Sequence, residues 1–260
     1  MDREVRQMKV LAPYLRARSV EELWEHHTAH MAQYGFDRML YAYTCFQGGN
    51  SLGDPDDALV LTNHAADYVE AYVSKGLFRD APMMNWASRN TGSISWRHIQ
   101  SECFERSNSN GIRNVLELNR RFGVVAGYTI SFPMAIKRAA AGIGLAARVG
   151  LDQNAVDEIW AEHGEDIEII NHVAHLAITQ LPATGQSRIL TPRQREVLEL
   201  VADGKSVQDI ALLLDRKAAT VDKHLRGARD SLGVETTAQA VRKASVWNQI
   251  FIIEPGTGLS

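Results

Sequence analysis

Cysteine is scarce in this 260-residue chain: Cys45 and Cys103 are the only two, and they form no spaced motif. That excludes a disulfide framework or a cysteine zinc cluster and points to a reduced, cytoplasmic setting. Apolar runs are short as well. None reaches bilayer-spanning length and no secretory leader is present, so a soluble intracellular protein without membrane attachment is expected. Internal repeats and low-complexity tracts are lacking. Net charge is only −3, but it is unevenly spread. From Arg188 onward eleven basic residues face nine acids, which gives that stretch +2 and leaves the front at −5. A mildly acidic front and a locally basic rear suit a sensor joined to a nucleic-acid binder.

Catalytic and cofactor signatures fail in turn. Gly49-Asn50-Ser51-Leu52-Gly53 matches the G-x-S-x-G elbow of hydrolases, but that elbow passes from strand into helix, and here Asp54-Pro55-Asp56 continues a loop. Gly142-Ile143-Gly144-Leu145-Ala146-Ala147 resembles a dinucleotide fingerprint, yet it reads as strand with no helix opening from it. Glycines leaving room for a ligand beside a strand explain it better. His26 and His30, one turn apart, lack ligand-spaced partners, as do His172 and His175, so all read as surface or partly packed histidines. No enzyme site, cofactor or metal is expected.

The rear carries the strongest local signals. Thr191 caps a helix with Pro192 first inside it and Gln194 placed to close a capping box; Gly204 ends that helix. A second helix fits Ser206 to Leu214, burying Ile210, Ala211 and Leu214. A turn through Asp215-Arg216 leads to a third from about Lys217 to Leu232. Two short helices around a tight turn make a helix-turn-helix, whose second member lies in the major groove of double-stranded DNA. Between residues 216 and 229 five basic residues stand against Asp222 alone, a cluster fit to neutralise phosphates.

TPRQREVLELVADGKSVQDIA, TVDKHL and SLGV followed by TTAQAVRKA resemble the DNA-binding domain of LuxR-type transcription regulators, over about the last seventy residues. Two positions depart from the family: a Glu is usual at Gln194, and a Ser or similar cap near Lys217. Asp222, Lys223 and Arg226 lie where the recognition helix meets bases, with Thr220 in the same DNA-binding set. Lys205, Lys217 and Arg229 are assigned to phosphates.

The front reads as alternating elements. Ser19 and Glu22 frame a capping box for a helix that Gly35 stops; residues 38–46 and 58–62 read as strands. Asn63 is placed to cap a helix to about Lys75. A short helix at 83–88, a strand at 93–96 and a helix at 110–122 follow. Residues 127–136 and 139–149 read as a hairpin turning near Lys137-Arg138, and Asp152 caps a long helix to about Leu181. The expected class is α+β: an N-terminal α/β/α sandwich with a central antiparallel sheet (1–181), a linker (182–189), and an all-α helix-turn-helix domain (190–260).

This layout is similar to the autoinducer-binding domain of the same LuxR-type family, whose pattern this chain matches in part. Tyr68 stands where the family has Trp, Tyr72 matches the Tyr, Ala81-Pro82 replaces Asp-Pro, and Trp96 and Gly127 match. The resemblance implies that the first Trp position donates to a lactone carbonyl and that the Asp accepts from the amide of an acyl-homoserine lactone. A Tyr hydroxyl still donates; Ala81 accepts nothing, which costs roughly ten- to a hundredfold in affinity. Asp80 is adjacent but points elsewhere unless the loop shifts. The expected cavity residues are His64, Tyr68, Tyr72, Asp80, Ala81 and Trp96.

The expected function is a ligand-responsive transcription regulator. It takes a small diffusible signal, either an acyl-homoserine lactone or, favoured by Ala81 and Tyr68, a non-standard one. It binds inverted-repeat operators as a homodimer, through the long helix after Asp152 and the segment 237–251. A ligand-independent regulator stays open. A phosphorylated response regulator is less consistent, since Asp56-Asp57 lies in a loop and not after a first strand.

Overall fold

In the computed structural model the residues described are 3–46, 57–98, 109–182 and 189–252. The chain divides into two compact units, Met1–Ile178 and Thr179–Ser260.

The front unit is built on a five-stranded sheet of order β2-β1-β5-β4-β3, with every pairing antiparallel. The strands are β1 (Phe36–Thr44), β2 (Ala58–Thr62), β3 (Gly92–Ser95), β4 (Gly127–Ser131) and β5 (Ala140–Ala147). Register sorts the side chains, because successive residues of a strand point to opposite faces. Met39 pairs with Leu145, and Tyr41 with Ile143, itself opposite Ile130. These apolar positions are almost fully buried. Their face is covered by α2 (Val20–Gln33) and the long α6 (Gln153–Gln180), with α1 (Arg3–Arg16) packed against α2. Trp160 stacks on Tyr128 with ring centres 3.8 Å apart, and the Tyr41 hydroxyl meets His175 Nδ1 at 2.9 Å.

The other face carries small residues. Leu40 pairs with Gly144 and Ala42 with Gly142, and these glycines lie opposite Thr129 and Ser131. Helix α3 (Ala66–Val69), a π-helical stretch (Glu70–Ser74), a 3₁₀ turn (Leu77–Asp80), α4 (Pro82–Ala87) and α5 (Asn110–Arg121) cover it. Helices on both sides of an antiparallel sheet complete the mixed α+β architecture expected from the sequence.

Local expectations hold where a cap decides the element. The Ser19 hydroxyl accepts the Glu22 amide and Asp152 accepts the Ala155 amide, each opening its helix where placed. Asn63 is a correction. Its side-chain oxygen accepts the Met39 amide at 2.7 Å and its nitrogen donates to Asp37 O at 2.8 Å, so it staples β1 and the helix starts later, at Ala66. The β4–β5 connection is wider than a tight hairpin, spanning 132–139. Pro133 lacks an amide hydrogen for the ladder and helps end β4. Residues 3–16, ahead of the first helix read from the sequence, are helical too.

His30 and His175, read as surface or partly packed, are buried, and so is His27. The Tyr14 hydroxyl lies 3.0 Å from His27 Nδ1 and 3.2 Å from His30 Nδ1, and His27 Nε2 lies 3.1 Å from Asn171 Oδ1. Asn171 Nδ2 donates to Ile167 O, so its oxygen is the acceptor for His27 Nε2–H. Neutral His27 therefore accepts the Tyr14 hydrogen on Nδ1, and Tyr14 in turn accepts from His30 Nδ1–H. The chain of bonds runs from His30 on α2 to Tyr14 on α1, back to His27 on α2 and on to Asn171 on α6.

The rear unit is all helical: α7 (Pro192–Ala202), α8 (Val207–Leu213), α9 (Ala218–Leu232) and α10 (Thr237–Val246). Val197, Leu198, Ile210, Val221, Leu225, Ala228, Leu232, Ala240 and Ala244 form one core. Thr191 with Gln194, Ser206 with Asp209, and Thr236 with Gln239 each close a capping box. Leu214, expected buried, is only half-buried.

Candidate ligand cavity and DNA-reading helix

Between the small-residue face and its helical cover lies a cavity of about 100 Å³. On the same measure a water needs roughly 10–15 Å³, so this is room for a molecule and not a packing flaw. Gly142 and Gly144 explain why it exists, since every other residue type would project a side chain from the sheet at these positions. A Cβ on Gly144 would find its nearest neighbour, Trp96 Cζ2, only at 3.9 Å. The glycines read from the sequence as room for a ligand do line the cavity.

His64, Tyr68, Tyr72 and Trp96 come together in the lining, as expected. His64 stacks on Tyr68 with centres 4.5 Å apart, and Tyr68 on Tyr72 at 5.2 Å. The π-helical stretch carries Tyr72, a widened turn of the kind often found at functional sites. Gly127 has a separate reason to lack a side chain. A Cβ there would sit 2.2 Å from Leu145 O and 2.9 Å from Trp96 Cζ3, so glycine lets the indole lie flat on the sheet.

Ala81 and Asp80 are not among the lining residues. Ala81 is fully buried against the aromatic cluster, whereas Asp80 is exposed with its carboxyl group over Gly111 on α5.

Hydrogen bonding inside the protein accounts for polar groups expected to read a ligand. The Tyr68 hydroxyl donates to Asn119 Oδ1 at 2.9 Å, and Trp96 Nε1–H donates to Thr129 Oγ1 at 2.9 Å. Each donor has one hydrogen, so Tyr68 can only accept from a ligand and Trp96 offers only its ring. Asn119 and Thr129 were not singled out from the sequence, because no local pattern marks a partner 51 or 33 residues away. The Tyr72 hydroxyl forms no hydrogen bond with the described residues.

The lining is uncharged. Burial, aided by the nearby Arg38 guanidinium and opposed by Asp37, holds the His64 imidazole down at about 4, so it is neutral at pH 7. Burial also raises the Tyr68 and Tyr72 phenols. Arg38 is occupied elsewhere. It donates to Phe122 O at 2.7 Å and Gly123 O at 3.3 Å, carbonyls at the end of α5, and to Ala147 O at the end of β5. No Asp or Glu is among the described lining residues.

In the rear unit, helix α9 buries Val221, Leu225, Ala228 and Leu232 and turns Asp222, Lys223 and Arg226 outward. Lys205 and Lys217 are exposed too, and Thr220 is half-buried. Lys217 occupies the N-cap without a side-chain bond, so the helix opens without the usual hydroxyl. Asp215, at φ +50°, makes the tight turn before it. Arg229 differs from the other basic candidates: its Nη1 donates to Thr237 Oγ1 at 3.0 Å, tying α9 to the first turn of α10. Ser51 and Asp56 fall outside the described residues, and so do Cys103 and most of the linker. Among the described residues no group of His, Cys, Asp and Glu is placed to hold a metal ion, and no helix is long and apolar enough to cross a membrane.

Two known protein families match this chain. Residues 19–178 match the autoinducer binding domain, and residues 188–244 match the bacterial regulatory proteins of the luxR family. The transcriptional activator EchR of Dickeya chrysanthemi is 24% identical over 215 residues, covering 77% of this chain and 82% of EchR. The transcriptional activator LuxR of Aliivibrio fischeri is 24% identical over 191 residues, covering 72% of this chain and 73% of LuxR. The crystal structure of Escherichia coli SdiA superposes with a TM-score of 0.55 at 16% identity, over 96% of this chain and all of SdiA. The chain belongs to the LuxR family of bacterial regulatory proteins and is a ligand-responsive, DNA-binding transcription regulator with an autoinducer-binding domain.

Proposed function

We propose that this regulator senses an uncharged, lactone-free signal in preference to an ordinary acyl-homoserine lactone, acting in the cytoplasm as a homodimer on inverted-repeat operators. The observation that carries the reading is the absence of a carboxylate from the described cavity lining, together with Ala81 at the position of the family's Asp. An acyl-homoserine lactone brings an amide N–H that must find an acceptor once buried. A bond to a carboxylate is roughly twice as strong as one between neutral groups, and His64, Tyr68 and Tyr72 offer only neutral acceptors. Flat aromatic surfaces from His64, Tyr68, Tyr72 and Trp96 favour a planar or apolar molecule.

On the DNA side, Asp222, Lys223 and Arg226 read base edges, with Thr220 beside them, while Lys205 and Lys217 contact phosphates. The outward set on α9 supports this assignment. Dimer contacts are assigned to α6 and to residues 237–251. Ligand binding stabilises the sensor unit and thereby sets how readily paired recognition helices reach successive major grooves.

A second reading, a ligand-independent regulator, is favoured by Tyr68 and Trp96 having their hydrogens bonded within the protein. Operator binding by the full chain separates the two. The sensor reading expects a two-half-site footprint whose affinity changes with a lactone-free aromatic compound. The same affinity with every compound and with none supports ligand independence.

A further inference from the structure

Thr129 brings to the cavity a hydroxyl whose hydrogen bonding is only partly accounted for. It sits on β4, is 4% exposed, and lines the cavity. Its oxygen accepts the Trp96 indole hydrogen at 2.9 Å. Its own hydrogen has no acceptor among the described residues. On one side its cross-strand partner is Gly144, which brings no side chain over it; on the other it is Ile94, which has nothing to accept with. The neighbouring hydroxyl on the same face, Ser131, is already used, donating to Ala87 O at 2.7 Å.

A threonine hydroxyl is a rotor, and accepting one strong bond restricts where its hydrogen points. The Trp96 bond therefore orients Thr129 as a donor. Burying such a hydrogen unpaired is unfavourable, and a ligand oxygen placed there would relieve it.

We propose that Thr129 is a specificity-determining residue, a donor oriented by Trp96 that selects an uncharged ligand carrying a carbonyl oxygen next to an aromatic or otherwise planar group. This rests on the reading of the cavity as the signal site. The carbonyl oxygen accepts from Thr129 over the open flank left by Gly144, and the planar part lies along the Trp96 face. A ligand of the same shape without the oxygen leaves the hydroxyl unpaired.

The test uses two probes of matched shape, acetophenone and ethylbenzene, which differ by a carbonyl in place of a methylene. Calorimetric titration of the full chain gives the ratio of their dissociation constants. Because ethylbenzene is the more apolar, the informative quantity is the change in that ratio on substitution, a double-mutant cycle between hydroxyl and carbonyl. Thr129→Val is expected to lower the preference for the ketone about ten- to a hundredfold. Thr129→Ser, which keeps the hydroxyl, is expected to stay within about threefold of the parent chain, a margin below typical hydrogen-bond energies. A ratio unchanged in Thr129→Val overturns the proposal while leaving the cavity as a ligand site. Should Thr129→Val not fold, loss of ketone preference in Thr129→Ser overturns it equally. Failure of both probes to bind the parent chain overturns it together with the cavity reading.

Discussion

The Tyr68 hydroxyl donates its only hydrogen to Asn119 Oδ1 at 2.9 Å, joining α3 to α5 behind the cavity. Both residues are buried, at 3% exposure each. A group that a ligand was expected to engage is therefore a structural tie.

Removing one member of this pair leaves the other unpaired, which costs about 1–3 kcal/mol. Tyr68→Phe should lower sensor stability by that amount in urea denaturation. The double variant Tyr68→Phe, Asn119→Leu should recover most of the loss, since two apolar partners leave nothing unpaired. A Tyr68→Phe protein as stable as the parent would show the tie to be energetically idle.

Acidification should weaken the sensor unit steeply. Burial holds His27 at about 4, with the Asn171 bond opposing it and His30 and His26 adding to it. Burial likewise holds His64 and His175 at about 4. Below the ordinary value of 6.5 the unfolded chain takes up protons that the folded chain refuses. Stability is therefore complete above about pH 7 and falls between 6.5 and 4, by up to about 1.4 kcal/mol per pH unit for His27. Denaturation at pH 7.5, 6 and 5 measures this slope. His27→Gln should make it shallower; an equal slope would remove His27 as a contributor.

Basic residues on the rear unit should separate into two kinds. Arg226→Ala should cost about 1–3 kcal/mol at one operator position and relax sequence preference there. Lys217→Ala should weaken all sequences alike and lower the salt slope by about 0.9. Arg229→Ala should act first on stability, because its guanidinium holds Thr237. Gel-shift titrations at three salt concentrations, with a melting curve for each variant, check the assignments.

Much of the fold was legible because local chemistry determined it. Thr191 with Gln194 and Ser19 before Glu22 open their helices as read, and Gly204 and Gly233 take the left-handed conformations that end theirs. Thr236 with Gln239 carries the same signature and opens α10. Asn63 misled for a tertiary reason: its side chain satisfies β1, a strand more than twenty residues earlier. The cavity was legible in its aromatic residues, which sit at helical spacing, and in Gly142 and Gly144. Its polar wiring was not. Tyr68 with Asn119 and Trp96 with Thr129 are made by sheet register and helix packing, which no short stretch of sequence encodes.

Thermal unfolding of the full chain with N-octanoyl homoserine lactone, set beside lactone-free aromatic ketones at equal concentration, tests the signal assignment most directly. A ligand at a hundred times its dissociation constant adds about 2.7 kcal/mol, which moves the midpoint by several degrees. The ketones should raise the midpoint and the lactone should leave it nearly unmoved. A lactone shift equal to or larger than that of the ketones would contradict the assignment and make this an ordinary acyl-homoserine lactone sensor.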